Sequence, residues 1–194
     1  DMPDNELLQA LELEAKKHVP LDGTEAIIDY HHIGKDLHEL DKINLLLTTT
    51  TKNKIKDHAD ILKNAGFKPG IFDSDPIALC NLLQFSYELP ETGANVILDI
   101  GHSSTTLVVF GNNITYFSRE IEIAGNQISQ SLIRSNKIKY SEAENKKHEK
   151  GIAVFEKSNE ESEQAISVEQ RTILNDLVDE VRKTLRFYMK NNSQ

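Results

Sequence analysis

The run from Val96 to Phe110 (VILDIGHSSTTLVVF) holds the densest set of side chains able to do chemistry. An apolar segment ends in Asp99, turns through Gly101, His102, Ser103 and Ser104, and returns as a second apolar segment. A hairpin of this composition can hold a phosphate. Glycine lets the backbone approach, successive turn N–H groups converge on one anion, serine hydroxyls add donors, and the Asp99 carboxylate can hold Mg²⁺ through water. The same residues also make an ordinary tight turn in which Asp and Ser satisfy the local backbone. Further along, Gly125 and Asn126 open a helical pattern, a place where the helix dipole favours anions or where a strand simply becomes a helix. Glu144 and Lys147 stand at i, i+3 on one helical face, either as a solvated ion pair or as a polar ligand contact.

Other reactive types are scattered. His31 and His32 are neighbours on an alternating segment, so they point to opposite faces and cannot chelate one ion. His18, His38, His58 and His148 have no second ligand at a metal-binding spacing. Cys80 lies in an apolar helical run and reads as a small buried side chain.

The elements that must position these groups follow from periodicity. Asp4 or Asn5 caps a helix to about Lys17, and Pro20 stops it. Thr24 to Ile33 alternates as a strand, and Lys42 to Thr51 (KINLLLTTTT) is a second one. Asn53 to Ala65 is an amphipathic helix closed by Gly66, and a short strand is expected from about Phe67 to Phe72. Asp75 and Pro76 open an apolar helix. Three strands then follow at Asn95 to Ile100, Thr105 to Phe110 and Ile114 to Ile123, the last two joined through Gly111 and Asn112. Helices are expected over Gly125 to Ser135 and Ser141 to Lys150, the second opened by a capping box of Ser141 with Glu144. Glu156 to Gln164 reads as a polar loop. Val168 to about Lys190 reads as a helix with Leu174, Leu177, Val178, Val181, Leu185 and Tyr188 on one stripe.

With 22 basic and 31 acidic residues the net charge is −9, which argues against nonspecific nucleic-acid binding. The 38% of apolar residues suffice for a packed core, and no apolar run approaches the roughly 20 residues that cross a bilayer. The chain reads as soluble and intracellular, and a single cysteine fits a reducing compartment. Asp1 precedes Met2, and the last helical stripe runs almost to Gln194, so the sequence reads as a fragment of something longer.

The order of the hairpin, the glycine-started helix and the A-E-x-x-K helix resembles the actin-like ATPase superfamily. Within it the chain is similar to the PilM family of type IV pilus assembly, with FtsA more distant. The segments that carry the likeness are MPDNELLQALELEAKKHVP, EAIIDYHHIG, LLLTTTTKNKIKDHADILKNAGFKPGIFDSDPIALCN, LDIGHSSTTLVVF, IEIAGNQIS, SEAENKKHEKG and DEVRKTLRFY, in that order. The resemblance implies an α/β fold: an actin-like (ribonuclease H-like) lobe with an inserted SHS2-type α+β subdomain. Residues 1–72 would be that 1C subdomain, and 73–194 an incomplete 2A/2B. It also implies ATP and Mg²⁺ as ligands. Asp99 would serve the metal, Gly101, His102, Ser103 and Ser104 the second phosphate loop, Gly125 and Asn126 the next turn, and Glu144 and Lys147 the nucleoside. Thr106 stands where FtsA-like loops often carry an acid, and Ala124 replaces the first glycine of a common pair. The first phosphate hairpin and the adenosine turn of the family fall outside this sequence, so weak or no ATP binding is expected of it, and no catalytic base is assigned.

The family likeness further implies a cytoplasmic scaffold, peripheral to the inner membrane through its partners. Those partners are the N-terminal cytoplasmic segment of PilN and other inner-membrane pilus components, with self-association as a further expectation. The alternative of another class is an FtsA-like, ATP-dependent filament former in cell division.

Overall fold

Ala26, Ile28 and Tyr30 alternate with Ile27, Asp29 and His31 between half-buried and exposed, as one strand face packed on helices requires. This holds in the computed structural model, which describes residues 4–18, 25–36, 39, 42–112, 114–150 and 161–192. Contacts divide the chain into two units, Asp1–Ala78 and Leu79–Gln194.

The first unit has helix α1 (Asp4–His18), strands β1 (Ala26–Lys35) and β2 (Ile43–Thr51), and helix α2 (Lys52–Asn64). The strands pair antiparallel from Ala26 with Thr51 to Lys35 with Ile43, with a register shift between His32 and Gly34. Ala15 of α1 is its buried anchor. Thr51 ends β2 and caps α2, its Oγ1 accepting the Lys54 N–H at 3.3 Å. At the other end Gly66 (φ +87°) donates to Lys63 O and Phe67 to Leu62 O, both at 2.9 Å, which is a Schellman closure. The expected strand at Phe67 to Phe72 is irregular chain instead. Pro69 lacks a ladder donor and Gly70 packs nothing, so the segment makes a poor sheet partner. Tyr30 and His32 share a face in an edge-on ring contact of 5.5 Å, as their spacing of two requires.

The second unit is built on an antiparallel meander of β3 (Asn95–Ile100), β4 (Thr105–Phe110) and β5 (Phe117–Ile121), with β4 in the middle. The remaining helices are α3 (Asp75–Ser86, which begins at the unit boundary), α4 (Gly125–Asn136), α5 (Tyr140–Lys150) and α6 (Glu161–Asn192). Strand β4 feeds two cores. Val108 and Phe110 pack with Cys80, Leu83, Leu89, Ile97 and Tyr116 on one face. Leu107 and Val109 pack with Tyr188, Val181, Leu185, Ile114 and Phe117 on the other. Cys80 is therefore a core side chain, and burial raises its thiol pKa.

The α6 helix is held to β5 by polar contacts as well. Arg119 donates to Thr184 Oγ1 at 2.7 Å and Glu180 Oε2 at 3.1 Å, and Tyr188 donates to Thr115 O at 2.9 Å. Of the expected stripe, Leu177, Val181, Leu185 and Tyr188 face the core, while Val178 is 44% exposed, one step round the helix. The expected polar loop is helical from Glu161, and residues 156–160 lie outside the described ones. The third strand starts at Phe117 rather than Ile114. Along β3, Val96, Leu98 and Ile100 are exposed, and β3 pairs only with β4 among the described residues.

Leu107→Ala, at a site with no exposure, is expected to lower unfolding free energy by about 2–5 kcal/mol. Val178→Ala should change it by less than about 0.5 kcal/mol. Denaturant titration of both variants checks this; equal losses would mean that α6 is not oriented as described.

Candidate nucleotide site

Strand β3 ends at Ile100, paired with Thr105, so Gly101 to Ser104 form the hairpin loop. Gly101 N–H donates to Ser104 O at 3.1 Å and closes it. A Cβ at position 101 would stand 2.9 Å from that same carbonyl oxygen, so only glycine fits without moving backbone. Thr105 Oγ1 donates to Ile123 O at 2.6 Å, tying the loop's exit to the segment that leads into α4.

Helix α4 begins against this loop. Gly125 N–H donates to Gly101 O at 3.1 Å, and Asn126 N–H to His102 O at 2.8 Å. Two of the four N–H groups that a helix start leaves unpaired are thus satisfied by loop carbonyls. Gln127 adds a third constraint, its Oε1 accepting Ala124 N–H and its Nε2 donating to Glu122 O, each at 2.9 Å.

The amides of Gly125 and Asn126 therefore hold the loop rather than facing a ligand. In a trans peptide the C=O and the next N–H point opposite ways. The N–H groups of His102 and Ser103 accordingly face away from α4, with the helix dipole behind them. They make no hydrogen bond among the described residues. Asp99, His102 and Ser103 are exposed and Ser104 is half-buried.

Glu144 and Lys147 on α5 are neither fully solvated nor free. Their side chains are 22% and 17% exposed, whereas the surface pair of Asp179 and Arg182 on α6 is 60% and 66% exposed. Lys147 Nζ donates to Glu144 Oε1 at 2.8 Å, to Ser129 Oγ at 2.9 Å and to Gly125 O at 3.4 Å. An ammonium has three donors, and all three have acceptors here. Ser129 Oγ also bonds to Glu144 Oε1. The Lys147 bond, then the Ser129 bond, hold the Glu144 carboxyl down at about 2 against an ordinary 4.5. Burial and the nearby Glu144 carboxylate raise the Tyr140 phenol.

The capping box expected at Ser141 does not form. Helix α5 starts at Tyr140, and the Glu144 carboxylate bonds to an ammonium and a buried hydroxyl rather than turning back to the Ser141 backbone. Ser129, with no exposure, is the member that periodicity missed. Its signal was slight: a serine one turn after the glycine that opens α4.

Hydrogen bonds thus link Gly101, His102, Gly125, Asn126, Glu144 and Lys147 into one array across the loop, α4 and α5. Asp99, Ser103 and Ser104 sit at its loop end, joined to it through the backbone. No group of three His, Cys, Asp or Glu side chains able to hold a metal occurs among the described residues. A cation at Asp99 would rest on one carboxylate, water and ligand oxygens, a donor set that suits Mg²⁺.

A family model described as type IV pilus assembly protein PilM matches residues 1–194. The chain belongs to the PilM family. A chain of a solved PilM–PilN type IV pilus biogenesis complex shares its fold, with a TM-score of 0.79 at 24% identity over 100% of this chain and 54% of that one. This chain thus spans about half the length of that relative, and the fold is the actin-like α/β one. A crystal structure of MreB 5 of Spiroplasma citri bound to AMPPNP aligns with a TM-score of 0.48 at 22% identity, over 74% of this chain and 48% of that one. No helix among the described residues is long and apolar enough to cross a membrane.

The low Glu144 value sets a pH dependence. Its folded pKa lies below the unfolded one, so its contribution to stability is complete above pH about 4.5 and disappears as the pH falls towards 2. Glu144→Gln is therefore expected to be less stable than wild type at pH 7, with the gap closing across that window. Urea unfolding at a series of pH values measures it, and a pH-independent gap would refute the coupling.

Proposed function

We propose that this chain is the phosphate-holding part of an ATP-binding, type IV pilus assembly scaffold. The observation that carries the reading is the pair of N–H groups at His102 and Ser103, turned away from α4 beside the exposed Asp99. These groups fit a phosphate tail with Mg²⁺: two backbone donors with a helix dipole behind them, hydroxyls at Ser103 and Ser104, and one carboxylate for the hydrated ion. Gly125 and Asn126 fix the loop, and Glu144 and Lys147 mark the nucleoside end. Bound ATP would supply charge that holds the lobe in one arrangement. No side chain of the array is assigned as a catalytic base.

In the same reading residues 1–72 are the 1C subdomain and residues 73–194 an incomplete 2A/2B. The longer protein engages the cytoplasmic N-terminal segment of PilN and other pilus components, and so lies at the cytoplasmic face of the inner membrane. Support for that partner is the fold shared with a chain solved in complex with PilN. The whole-chain family match favours this scaffold over an FtsA-like filament former.

Two measurements test the proposal. By calorimetry with Mg²⁺, this chain alone is expected to bind ATP weakly or not at all, and micromolar affinity would contradict the division of the site. In the full-length protein, Asp99→Ala should weaken ATP binding about tenfold or more and leave pili intact. Loss of pili together with nucleotide binding would instead make the nucleotide a driver of assembly.

A further inference from the structure

We propose that the His102 imidazole is the positive group of the phosphate end, donating in its protonated form to the anion that the His102 and Ser103 amides hold. The inference rests on the nucleotide reading above and adds to it the charge that binds the tail and a dependence on pH.

A phosphate tail carries several negative charges, and a site for it gains most from donors that are themselves charged. The loop is short of them. Lys147 sends its three donors to Glu144 Oε1, Ser129 Oγ and Gly125 O, so it has none left for a ligand. The first turn of α4 brings Gly125, Asn126 and Gln127, which are uncharged. The remaining titratable neighbours are acids. Asp99 and Glu120 pair with Thr106 from either side and so share its face of the sheet, and Glu122 lies between β5 and α4. All three are exposed. Among the described side chains of the loop, the strand ends beside it and the first turn of α4, His102 is the one that can become positive.

Its imidazole is exposed and makes no hydrogen bond or ion pair among the described residues. Other histidines are engaged: His58 Nδ1 lies 2.8 Å from Lys54 O, and His32 packs edge-on against Tyr30. Only Cα, Cβ and Cγ separate Nδ1 of a histidine from its own amide nitrogen, so ring and amide can converge on one phosphate oxygen. The base of the side chain is fixed meanwhile, because Asn126 N–H holds the His102 carbonyl at 2.8 Å.

A neutral imidazole offers one N–H, and a protonated one offers two with a full charge. That change falls between about pH 5 and 8 in ordinary surroundings, and an adjacent phosphate favours the charged form. Binding therefore takes up a proton, and affinity for the tail rises as the pH falls through that range. Asp99, Glu120 and Glu122 favour the charged ring as well, while Lys147, behind the Gly125 carbonyl, opposes it.

The test is calorimetry of ATP with Mg²⁺ on the full-length protein at about pH 6, 7 and 8, in two buffers of different ionisation heat. The quantity compared is the ratio of wild-type to His102→Gln affinity, in which protonation of ATP itself cancels. It is expected to be about fivefold at the lowest pH and below about twofold at the highest. Near neutrality wild type should take up more protons on binding than His102→Gln. His102→Lys, charged throughout, should bind ATP at the highest pH about as tightly as wild type does at the lowest. A ratio that does not change with pH, equal proton uptake, or His102→Lys binding no tighter than His102→Gln overturns the role of His102 alone. No binding of ATP by wild type at any of these pH values overturns the nucleotide reading, and this inference with it.

Discussion

Two backbone hydrogen bonds, from the first turn of α4 to the carbonyls of Gly101 and His102, are the constraint on which the site depends. They satisfy a helix start that would otherwise leave donors without partners, and they fix the loop in space. Gly101 is required because the loop folds back on its own carbonyl, and Thr105 ties the far side of the hairpin to the chain entering α4. A loop held in this way keeps its outward N–H groups in place before any ligand arrives, so little ordering cost falls on binding.

The rigidity behind that loop comes from β4. A strand buried on both faces is the central element of its sheet, and each face is filled from a different helix, α3 on one side and α6 on the other. Arg119 and Tyr188 add polar ties from β5 and the chain before it to α6. The register of the hairpin is thus set by side chains well away from the loop, since a slip of one residue would exchange the two cores.

Much of this was legible in the sequence. The alternation of β1, the apolar run of β4 and the glycine-opened α4 each follow from the period of their element, and Gly66 from the φ that a helix end needs. What failed had identifiable causes. Phe67 to Phe72 has strand-forming residues, but Pro69 and Gly70 remove the donor and the side chain that pairing requires. Ser141 with Glu144 has capping-box spacing, yet a tertiary charge partner outweighs a local backbone one. At the site, residue types and order located the loop and both helices. They could not locate Ser129, because a helix-interior serine gives no period and acquires its role only when α5 packs on α4. Nor could they show that the Gly125 and Asn126 amides are already engaged, which depends on where the hairpin folds back.

Among the described residues β3 pairs only with β4, its Val96, Leu98 and Ile100 side chains are exposed, and the exposed Asp99 stands between the last two of them, just before the polar turn. An open edge of that kind is a template for any extended chain, and a charge on it serves as a gatekeeper against cross-β assembly. Under the proposed function Asp99 would then be burdened twice, as the carboxylate for a cation and as the solubilising charge of unpaired strand backbone. Neutralising it makes β3 stickier, so clumping of a variant at that position speaks to sheet-edge chemistry and not to the fate of the nucleotide.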